Sequence, residues 1–179
     1  MKKSSTQHAI AAHLIDHSPD VLVVTETWMD KKLPYIHQEY KVLQSPLNKY
    51  QGVAIFFKKD IRVSPHLEHT WTPGMVQGKI ETEKNTKPII LIGVYIQPAT
   101  KETCLMQLDQ VITAHITDEK HSAIVVAGDM NSSKEELENK LESAKELLIA
   151  TSVKGTRVQG EKWSKLDYFL SDRVMTNVT

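Results

Sequence analysis

The sequence is poor in the residues that define several classes of protein. One cysteine, Cys104, stands among 179 residues, which excludes an internal disulfide framework and is typical of a reducing, intracellular compartment. The sequence does not distinguish the nucleus from the cytoplasm. Lysine plus arginine number 22, and aspartate plus glutamate also number 22, so no net charge draws the protein to nucleic acid. A site for phosphate must therefore depend on local charge or on a bound metal ion.

Long apolar runs and flexible linkers are also absent. The longest apolar run, residues 88–96, is far shorter than the roughly 20 residues that a membrane-spanning helix needs, and the N-terminus lacks the apolar core of a secretory signal. We therefore expect no membrane partner. No repeat and no Gly/Ser/Pro-rich linker divides the chain, which predicts a single domain over residues 1–179. No Gly-rich phosphate loop follows a strand, which argues against nucleotide-binding folds of the P-loop or dinucleotide kind.

Hydrophobic patterning predicts a chain of strands with helices between some of them. Helices are expected over residues 6–17, 101–117 and 133–149, and the last of these opens with a capping box formed by Ser133 and Glu136. Buried strands are expected within residues 20–28, 87–98 and 121–129, and shorter ones within 40–45, 52–59, 62–64, 75–82, 151–158 and 165–172. Several strands are apolar on both faces and the middle of the chain has antiparallel character. This pattern favours a layered α/β sandwich with mixed sheets.

Polar side chains stand at the ends of several predicted strands. Glu26 follows one buried strand, Asp129 and Asn131 follow another, Asp167 lies in the last, and Tyr95 closes a fourth. Carboxylates that meet at one rim of a sheet would repel each other unless a cation or hydrogen-bond donors compensated them. Oxygen-rich clusters of this type suit Mg²⁺ or Mn²⁺. A hydrated divalent ion beside a free carboxylate is suited to the hydrolysis of phosphate esters.

Each of these features alone has an ordinary structural explanation. A glutamate after a strand is usually solvated, the turn GDMN favours no chemistry by itself, and a lone tyrosine is more often part of the core. Asp167 is harder to explain, because an acid between Leu166 and Tyr168 in an apolar strand needs a partner. The joint occurrence of these residues, each at a strand end, is what indicates a site.

Together these motifs resemble those of the endonuclease/exonuclease/phosphatase family, which includes apurinic endonucleases, DNase I, inositol-phosphate phosphatases and the endonuclease domains of non-LTR retrotransposons. VLVVTETW resembles the strand-plus-glutamate motif of the family, GVYIQP its tyrosine-proline motif, GDMN its GDxN signature and SKLDY its S-x-L-D-Y motif. GVAIFFKK is similar to a strand of the apurinic and retrotransposon members. The resemblance covers essentially the whole chain. It implies a DNase I-like fold, a four-layer α/β/β/α sandwich with two mixed, largely antiparallel sheets.

The resemblance also implies a role for each residue. Glu26 binds the metal ion, Mg²⁺ or Mn²⁺. Asp129 positions or deprotonates the attacking water, while Asn131 and Tyr95 hold the phosphate. In the motif Ser164-Lys165-Leu166-Asp167-Tyr168, Asp167 orients a histidine of the family and Ser164 binds substrate.

The function implied is Mg²⁺-dependent hydrolysis of a phosphodiester, first of all by a DNA endonuclease of apurinic or retrotransposon type. DNA is the expected partner, and the retrotransposon resemblance implies a larger polyprotein with a reverse transcriptase. The substrate stays open among abasic DNA, target-site DNA, RNA and a small phosphate ester.

Two pieces of the family pattern have no counterpart here, an initial strand with a metal-binding asparagine and a final strand with an Asp-His pair. We therefore expect a domain that is incomplete at both ends. The alternatives are an inactive fragment or pseudoenzyme that keeps the fold as a binding module, and a phosphatase acting on a soluble phosphate ester.

Overall fold

The structure, a computed structural model, describes residues 3–27, 37–45, 52–65, 74–82, 87–117, 123–150, 157–159, 162–164 and 167–171. The helices and strands in these ranges are α1 (Lys3–His17), β1 (Val21–Thr25), β2 (Tyr40–Gln44), β3 (Val53–Lys58), β4 (Val63–Pro65), β5 (Met75–Ile80), β6 (Ile89–Tyr95), α2 (Lys101–Thr117), β7 (Ala123–Asp129), α3 (Lys134–Lys140), β8 (Leu148–Ala150), β9 (Arg157–Gln159), β10 (Lys162–Ser164) and β11 (Asp167–Ser171). Within them, no helix is both long and apolar enough to cross a membrane.

The larger sheet has six strands in the order β4-β5-β6-β7-β11-β8. Strands β6 and β7 run parallel, and the other neighbouring pairs run antiparallel. A parallel pair needs a long crossover connection, which α2 supplies. The buried side of α2 and Leu137 of α3 pack together on the outer face of this sheet.

The smaller sheet has three antiparallel strands in the order β1-β3-β2. Its central strand β3 is buried over five consecutive residues, which explains why its sequence is apolar on both faces. One face of the sheet packs against α1 through Ile10 and Leu14. The opposite face, with Ile55 and Phe57, packs against the larger sheet.

The two sheets therefore lie face to face between helices. The layers run from α1 through the smaller and larger sheets to α2 and α3, which confirms the predicted four-layer α/β/β/α sandwich. Contact between the sheets is tight, because a Cβ atom added at Gly93 would lie 2.9 Å from Cγ1 of Val53. A glycine at this point allows the two layers to approach closely.

The smaller sheet covers only part of the larger one. Strand β1 packs over β6 through Val21 and Val23, whereas no described residue of β11 or β8 belongs to the core between the two sheets. Phe169 and Leu148 on that uncovered face are 42% and 52% exposed. By their register with β11, Leu148 and Ala150 share the face of Phe169. These three residues form what we call the uncovered ledge.

The helix predicted over residues 133–149 is shorter than expected. Ser133 caps it as predicted, since its Oγ accepts a hydrogen bond from the main-chain N–H of Glu136 at 3.1 Å. However, α3 ends at Lys140, and Asp109 of α2 then accepts a hydrogen bond from the main-chain N–H of Ser143 at 2.9 Å. A short 3₁₀ helix, Glu142–Glu146, follows, and the chain then forms β8, which pairs with β11. Hydrophobic spacing alone predicts a longer helix, but tertiary contacts end it at Lys140.

Candidate active site

Three of the predicted site residues lie side by side across the larger sheet. Asp129, the last residue of β7, is in register with Tyr95 at the end of β6 and with Asp167 at the start of β11. Residues in register on neighbouring strands share a face of the sheet, with the strands about 4.8 Å apart. Tyr95 packs into the core between the two sheets, so this face is the inner one. The strand order therefore brings three of the predicted residues together at one edge of the larger sheet, whereas Glu26 follows a strand of the smaller sheet.

The turn after β7 is held by its own side chains. The Oδ1 atom of Asp129 accepts a hydrogen bond from the main-chain N–H of Asn131 at 2.9 Å, which is the geometry of an Asx turn. Asn131 in turn donates from Nδ2 to the main-chain oxygen of Ile96 at 2.9 Å. The main-chain N–H of Ile96 donates to the main-chain oxygen of Asp129, also at 2.9 Å. This turn, Asp129 to Asn131, is therefore fixed against the residue that follows Tyr95.

Backbone conformation also limits which residues this turn accepts. Gly128 has φ of 144°, and a Cβ atom there would overlap the main-chain oxygen of Val94. Asn131 has φ of 45°, in the left-handed region that asparagine tolerates better than most residues. The Gly and Asn of the GDMN motif thus have conformational roles in addition to any chemical one.

Glu26 lies immediately after β1 in the smaller sheet. Its side chain is exposed and its φ is 51°, a left-handed conformation that is uncommon for glutamate. Thr27 next to it donates its main-chain N–H to the oxygen of Gly52 at 3.2 Å, which ties the residue after Glu26 to the start of β3. Thr25, the residue before Glu26, lines the same cavity as Asp167. Glu26 therefore follows a strand that borders the cavity beside the other site residues.

A cavity of about 550 Å³ separates the end of β1 from the larger sheet. Asp167 is the one charged residue among its described lining, which is otherwise mostly apolar and includes Thr25, Gly128 and Phe169. No lysine, arginine or histidine is among these lining residues. The side chain of Asp167 thus borders an open apolar space at the level of Asp129.

The donor set is compatible with a weakly protein-bound divalent ion. Among the described residues, no group of three histidine, cysteine, aspartate or glutamate side chains lies close enough to hold a metal ion. This arrangement does not suit zinc, which needs three or four protein ligands. It does suit Mg²⁺, which keeps several waters and binds through one or two carboxylates together with substrate phosphate. An exposed carboxylate such as that of Glu26 meets this requirement.

Ser164 is the predicted residue about which the structure says least. It ends strand β10, whose register places it opposite Arg157 of β9. The β9–β10 pair precedes β11 and its first residue, Asp167, in the sequence. The substrate-binding role of Ser164 stays a prediction, as do the individual roles of the other site residues.

Tyr168 has a role that reasoning from the sequence missed. It is 3% exposed and packs with Met130 and Leu137 in the core on the helix side of the larger sheet. Burial raises the pKa of the Tyr168 hydroxyl above its usual 10.0, although the main chain of Lys134 acts in the opposite direction. Its place in the S-x-L-D-Y motif was a signal, but the residues it packs against depend on tertiary structure.

The profile of the Endonuclease/Exonuclease/phosphatase family matches residues 3–177. The chain therefore belongs to the endonuclease/exonuclease/phosphatase family, a class of phosphate-ester hydrolases. No curated protein gives a significant match to the sequence.

Several solved structures share the fold. The endonuclease domain of TRAS1, a telomere-specific non-LTR retrotransposon, has a TM-score of 0.65 and 19% identity, covering 96% of this chain and 80% of that one. An AP endonuclease from Archaeoglobus fulgidus also has a TM-score of 0.65 and 19% identity, over 94% of this chain and 82% of its own. The 3′ phosphatase NExo from Neisseria, bound to a product DNA hairpin, has a TM-score of 0.68 and 17% identity, over 93% and 81%. These similarities establish the DNase I-like fold.

Proposed function

We propose that this chain hydrolyses phosphodiester bonds in DNA with Mg²⁺ or Mn²⁺, as an endonuclease of apurinic or retrotransposon type. The observation that carries the proposal is the alignment of Tyr95, Asp129 and Asp167 on three neighbouring strands, with Asn131 held in the adjoining turn. Family membership supports the reaction class, because phosphate-ester hydrolysis is common to its members. In a retrotransposon the domain would belong to a larger polyprotein that also carries a reverse transcriptase.

In the proposed mechanism Asp129 acts on the attacking water. Its Oδ1 already accepts the N–H of Asn131, which fixes the carboxylate in one orientation. A carboxylate fixed in this way can accept a proton from a water held beside the phosphorus. Asp167 lies opposite Asp129 in register, so a phosphate group beside these two acids would need hydrogen-bond donors nearby.

Asn131 and Tyr95 would supply such donors. One N–H of the Asn131 amide is used by the main-chain oxygen of Ile96, which orients the amide and leaves a second N–H on the same nitrogen. Tyr95 is buried with 7% exposure and is in register with Asp129, so its ring is held rigidly at the same edge of the sheet. Preorganised donors of this kind stabilise the charge that develops on phosphate oxygens.

Glu26 is the residue that we expect to hold the metal ion. When bound, the ion would neutralise phosphate charge and lower the pKa of a coordinated water. Glu26 is exposed and directly follows Thr25, which lines the cavity, so water and phosphate oxygens could complete the coordination.

The alternative function is a non-catalytic binding module, or a phosphatase acting on a soluble ester. One observation favours the binding module, namely that the described lining around Asp167 contains no lysine, arginine or histidine to contact a phosphate. A hydrolase that lacks one such group is typically slowed by about 10²–10³-fold. An assay of this function must therefore be sensitive enough to detect slow turnover.

The test is nicking of supercoiled plasmid by the purified chain, with Mg²⁺, Mn²⁺ or EDTA. Asp129→Asn keeps an oxygen that accepts the N–H of Asn131 but removes the charge, and Glu26→Gln is its counterpart in the smaller sheet. Asp60→Asn is the matched control, because Asp60 is an exposed acid beyond the opposite end of β3. We expect metal-dependent nicking in the wild type and the control, and a loss of about 10²-fold or more in Asp129→Asn.

Each other outcome has a distinct meaning. Release of phosphate from a 3′-phosphorylated oligonucleotide or from an inositol phosphate, without nicking, would establish a phosphatase instead. A folded chain with no turnover of any of these substrates would support the alternative of a non-catalytic binding module. Nicking that survives in Asp129→Asn would contradict the proposed mechanism.

A further inference from the structure

Two histidines lie one turn apart on α1, with their rings in contact. His13 and His17 are four residues apart, and residues at this spacing are neighbours on the surface of a helix. Their ring centres are 4.5 Å apart and the ring planes are inclined at 58°, so the rings do not stack face to face. Both side chains are exposed. The end of α1 thus presents two imidazoles side by side to the solvent.

Packing against the smaller sheet does not explain these two histidines. Positions 10, 13, 14 and 17 have the spacing at which a surface helix usually carries apolar residues. Ile10 and Leu14 follow this rule and are buried against the sheet. His13 and His17 take the other two positions and remain exposed. A pair of histidines next to the buried side of the helix therefore indicates a role other than packing.

The separation of the rings fits the binding of one metal ion by both of them. An imidazole nitrogen binds such an ion at about 2.0–2.1 Å, which places the ion roughly 3.2 Å from the ring centre. Two rings bound at a right angle then have centres roughly 4.5 Å apart, and two bound at a tetrahedral angle roughly 5.2 Å apart. The observed separation of 4.5 Å matches the right angle. Rotation about the terminal torsion of each side chain, which is broad for histidine, aims one nitrogen at the ion.

The ligand set selects the class of metal ion. Among the described residues, no group of three histidine, cysteine, aspartate or glutamate side chains lies close enough to hold an ion, so two imidazoles are the protein ligands here. Zinc needs three or four protein ligands, and Mg²⁺ takes oxygen ligands. Cu²⁺ and Ni²⁺ take nitrogen and oxygen ligands in a tetragonal arrangement with right angles, and Cu²⁺ binds most tightly of the divalent series.

We propose that His13 and His17 form a two-histidine site for a tetragonal divalent ion, Cu²⁺ or Ni²⁺, with water in the remaining positions. This site is separate from the Mg²⁺ site expected at Glu26. His17 precedes β1 and Glu26 follows it, so the two residues lie at opposite ends of a strand about 17 Å long. The proposal therefore stands whether or not the chain hydrolyses a phosphodiester.

A bound ion clamps the C-terminal end of α1. Its two ligands lie on successive turns, and the main-chain N–H of Ser18 closes this end by donating to the main-chain oxygen of Leu14 at 3.1 Å. Unfolding separates the two imidazoles, so the ion binds the folded chain more tightly than the unfolded one and stabilises it.

The experiment titrates the purified chain with CuCl₂ and with NiCl₂, by calorimetry and by thermal unfolding. With free Cu²⁺ at about 100 times Kd, we expect Tm to rise by about 5–10 °C. His13→Gln and His17→Gln should each weaken binding by about tenfold or more and remove most of this rise. His8→Gln is the matched control, because His8 is also exposed on α1 but does not have the spacing of the pair. We expect it to bind as the wild type does.

A second variant tests the spacing rather than the number of histidines. Ile15→His combined with His17→Gln keeps the histidine count but separates the pair by two residues, and side chains at that spacing do not face each other on a helix. Ile15 is 62% exposed, so its replacement leaves the core intact. We expect this double variant to bind Cu²⁺ as weakly as His17→Gln does.

The position of the bound ion is read by NMR, because Cu²⁺ is paramagnetic and broadens the signals of nearby amides. At substoichiometric Cu²⁺ we expect broadening centred on residues 13–17 in the wild type, and its loss in the double variant. Broadening centred elsewhere in the chain would overturn the proposal. Equal affinity of the wild type and the double variant would overturn it as well, since binding would then not depend on the spacing of the pair.

Discussion

Positive backbone dihedral angles are concentrated at the residues that we assign to the site. Among the described non-glycine residues, those with positive φ are Ser18, Glu26 and Asn131, and two of these are site residues. Gly128, with φ of 144°, precedes Asp129 directly. Such conformations cost about 1–3 kcal/mol each for residues other than glycine and persist where the surrounding structure requires them. The backbone is thus locally less stable at the residues whose side chains must be held in a defined orientation in the site.

Gly128 provides the sharpest prediction at the residue scale. Gly128→Ala places a Cβ atom against the main-chain oxygen of Val94, which cannot move without disturbing β6, and it forces an unfavourable φ. We expect the free energy of unfolding to fall by about 3 kcal/mol or more, and this can be measured by urea denaturation. The turn that begins at Asp129 should also shift, so any activity should be lost.

Gly78→Ala is the control for this substitution. The nearest atoms to a Cβ at Gly78 are the side-chain ends of Leu43, Phe57 and Val63, at 3.0–3.2 Å, and no unfavourable φ is recorded there. Side chains can adjust by a few tenths of an ångström, so the loss of stability should be clearly smaller. Equal losses in the two variants would show that the backbone overlap at Gly128 does not decide its effect.

Much of the site could be predicted at this scale and some of it could not. Asp129, Tyr95, Asp167 and Glu26 were predicted to meet because each stands at the end of a strand. The register places the first three side by side, and Glu26 lies in the other sheet. The packing of Tyr168 against Met130 and Leu137 was not predicted, because these residues become neighbours only when β11 pairs with β7. Local motifs name the residues, whereas their partners depend on tertiary structure.

At the scale of elements, the helices and strands were predicted better than their connections. The predicted helix at 101–117 coincides with α2, because its apolar spacing and its packing surface agree. The helix predicted over 133–149 ends early, since β8 finds a partner in β11 that only the assembled sheet provides. The position of β11 between β7 and β8 could not be read from the order of the chain.

The uncovered ledge of β11 and β8 predicts the behaviour of this 179-residue chain in solution. Leu148 and Phe169 are half-exposed apolar residues on one face of the sheet, and exposed apolar sheet surfaces promote association. We expect concentration-dependent self-association in sedimentation velocity experiments. The double variant Leu148→Lys with Phe169→Lys should remain monomeric, with an unchanged far-UV circular dichroism spectrum.

Lysine at Met106 is the matched control, because Met106 is 56% exposed on α2, on the opposite side of the larger sheet. Met106→Lys should leave self-association unchanged. A wild-type chain that stays monomeric at all concentrations would contradict the prediction that the uncovered ledge is a surface for self-association.

At the scale of the whole molecule, Tyr168 links stability to pH in the alkaline range. Burial raises the pKa of its hydroxyl in the folded chain above the usual 10.0, so the unfolded chain ionises first as pH rises. Ionisation then favours unfolding, and stability that is fully present below pH 10 is lost as pH rises towards the folded value. The free energy of unfolding should therefore fall above pH 10, and less steeply in Tyr168→Phe.

The comparison with Tyr168→Phe is needed because two lysines titrate in the same direction. Hydrogen bonds to Asp20 and Glu102 raise the pKa values of Lys58 and Lys140, so those contributions are also lost at high pH. Both lysines are present in either variant, and only the difference between the two curves belongs to Tyr168. Identical slopes above pH 10 would contradict a raised pKa for this tyrosine.

The β6–α2–β7 unit has a consequence for the order in which the molecule folds. Tyr95 and Asp129 belong to this one continuous stretch of chain. Glu26 follows a strand that precedes it in the sequence, and Asp167 begins a strand that follows it. Contacts between segments that are far apart in sequence require larger loops to close and form later on average. We therefore expect Glu26, which is farther from Tyr95 in the sequence than Asp129 is, to join the site last. Transient separation of β1 from the larger sheet would then remove Glu26 from the site while the strands that carry the other three residues stay paired.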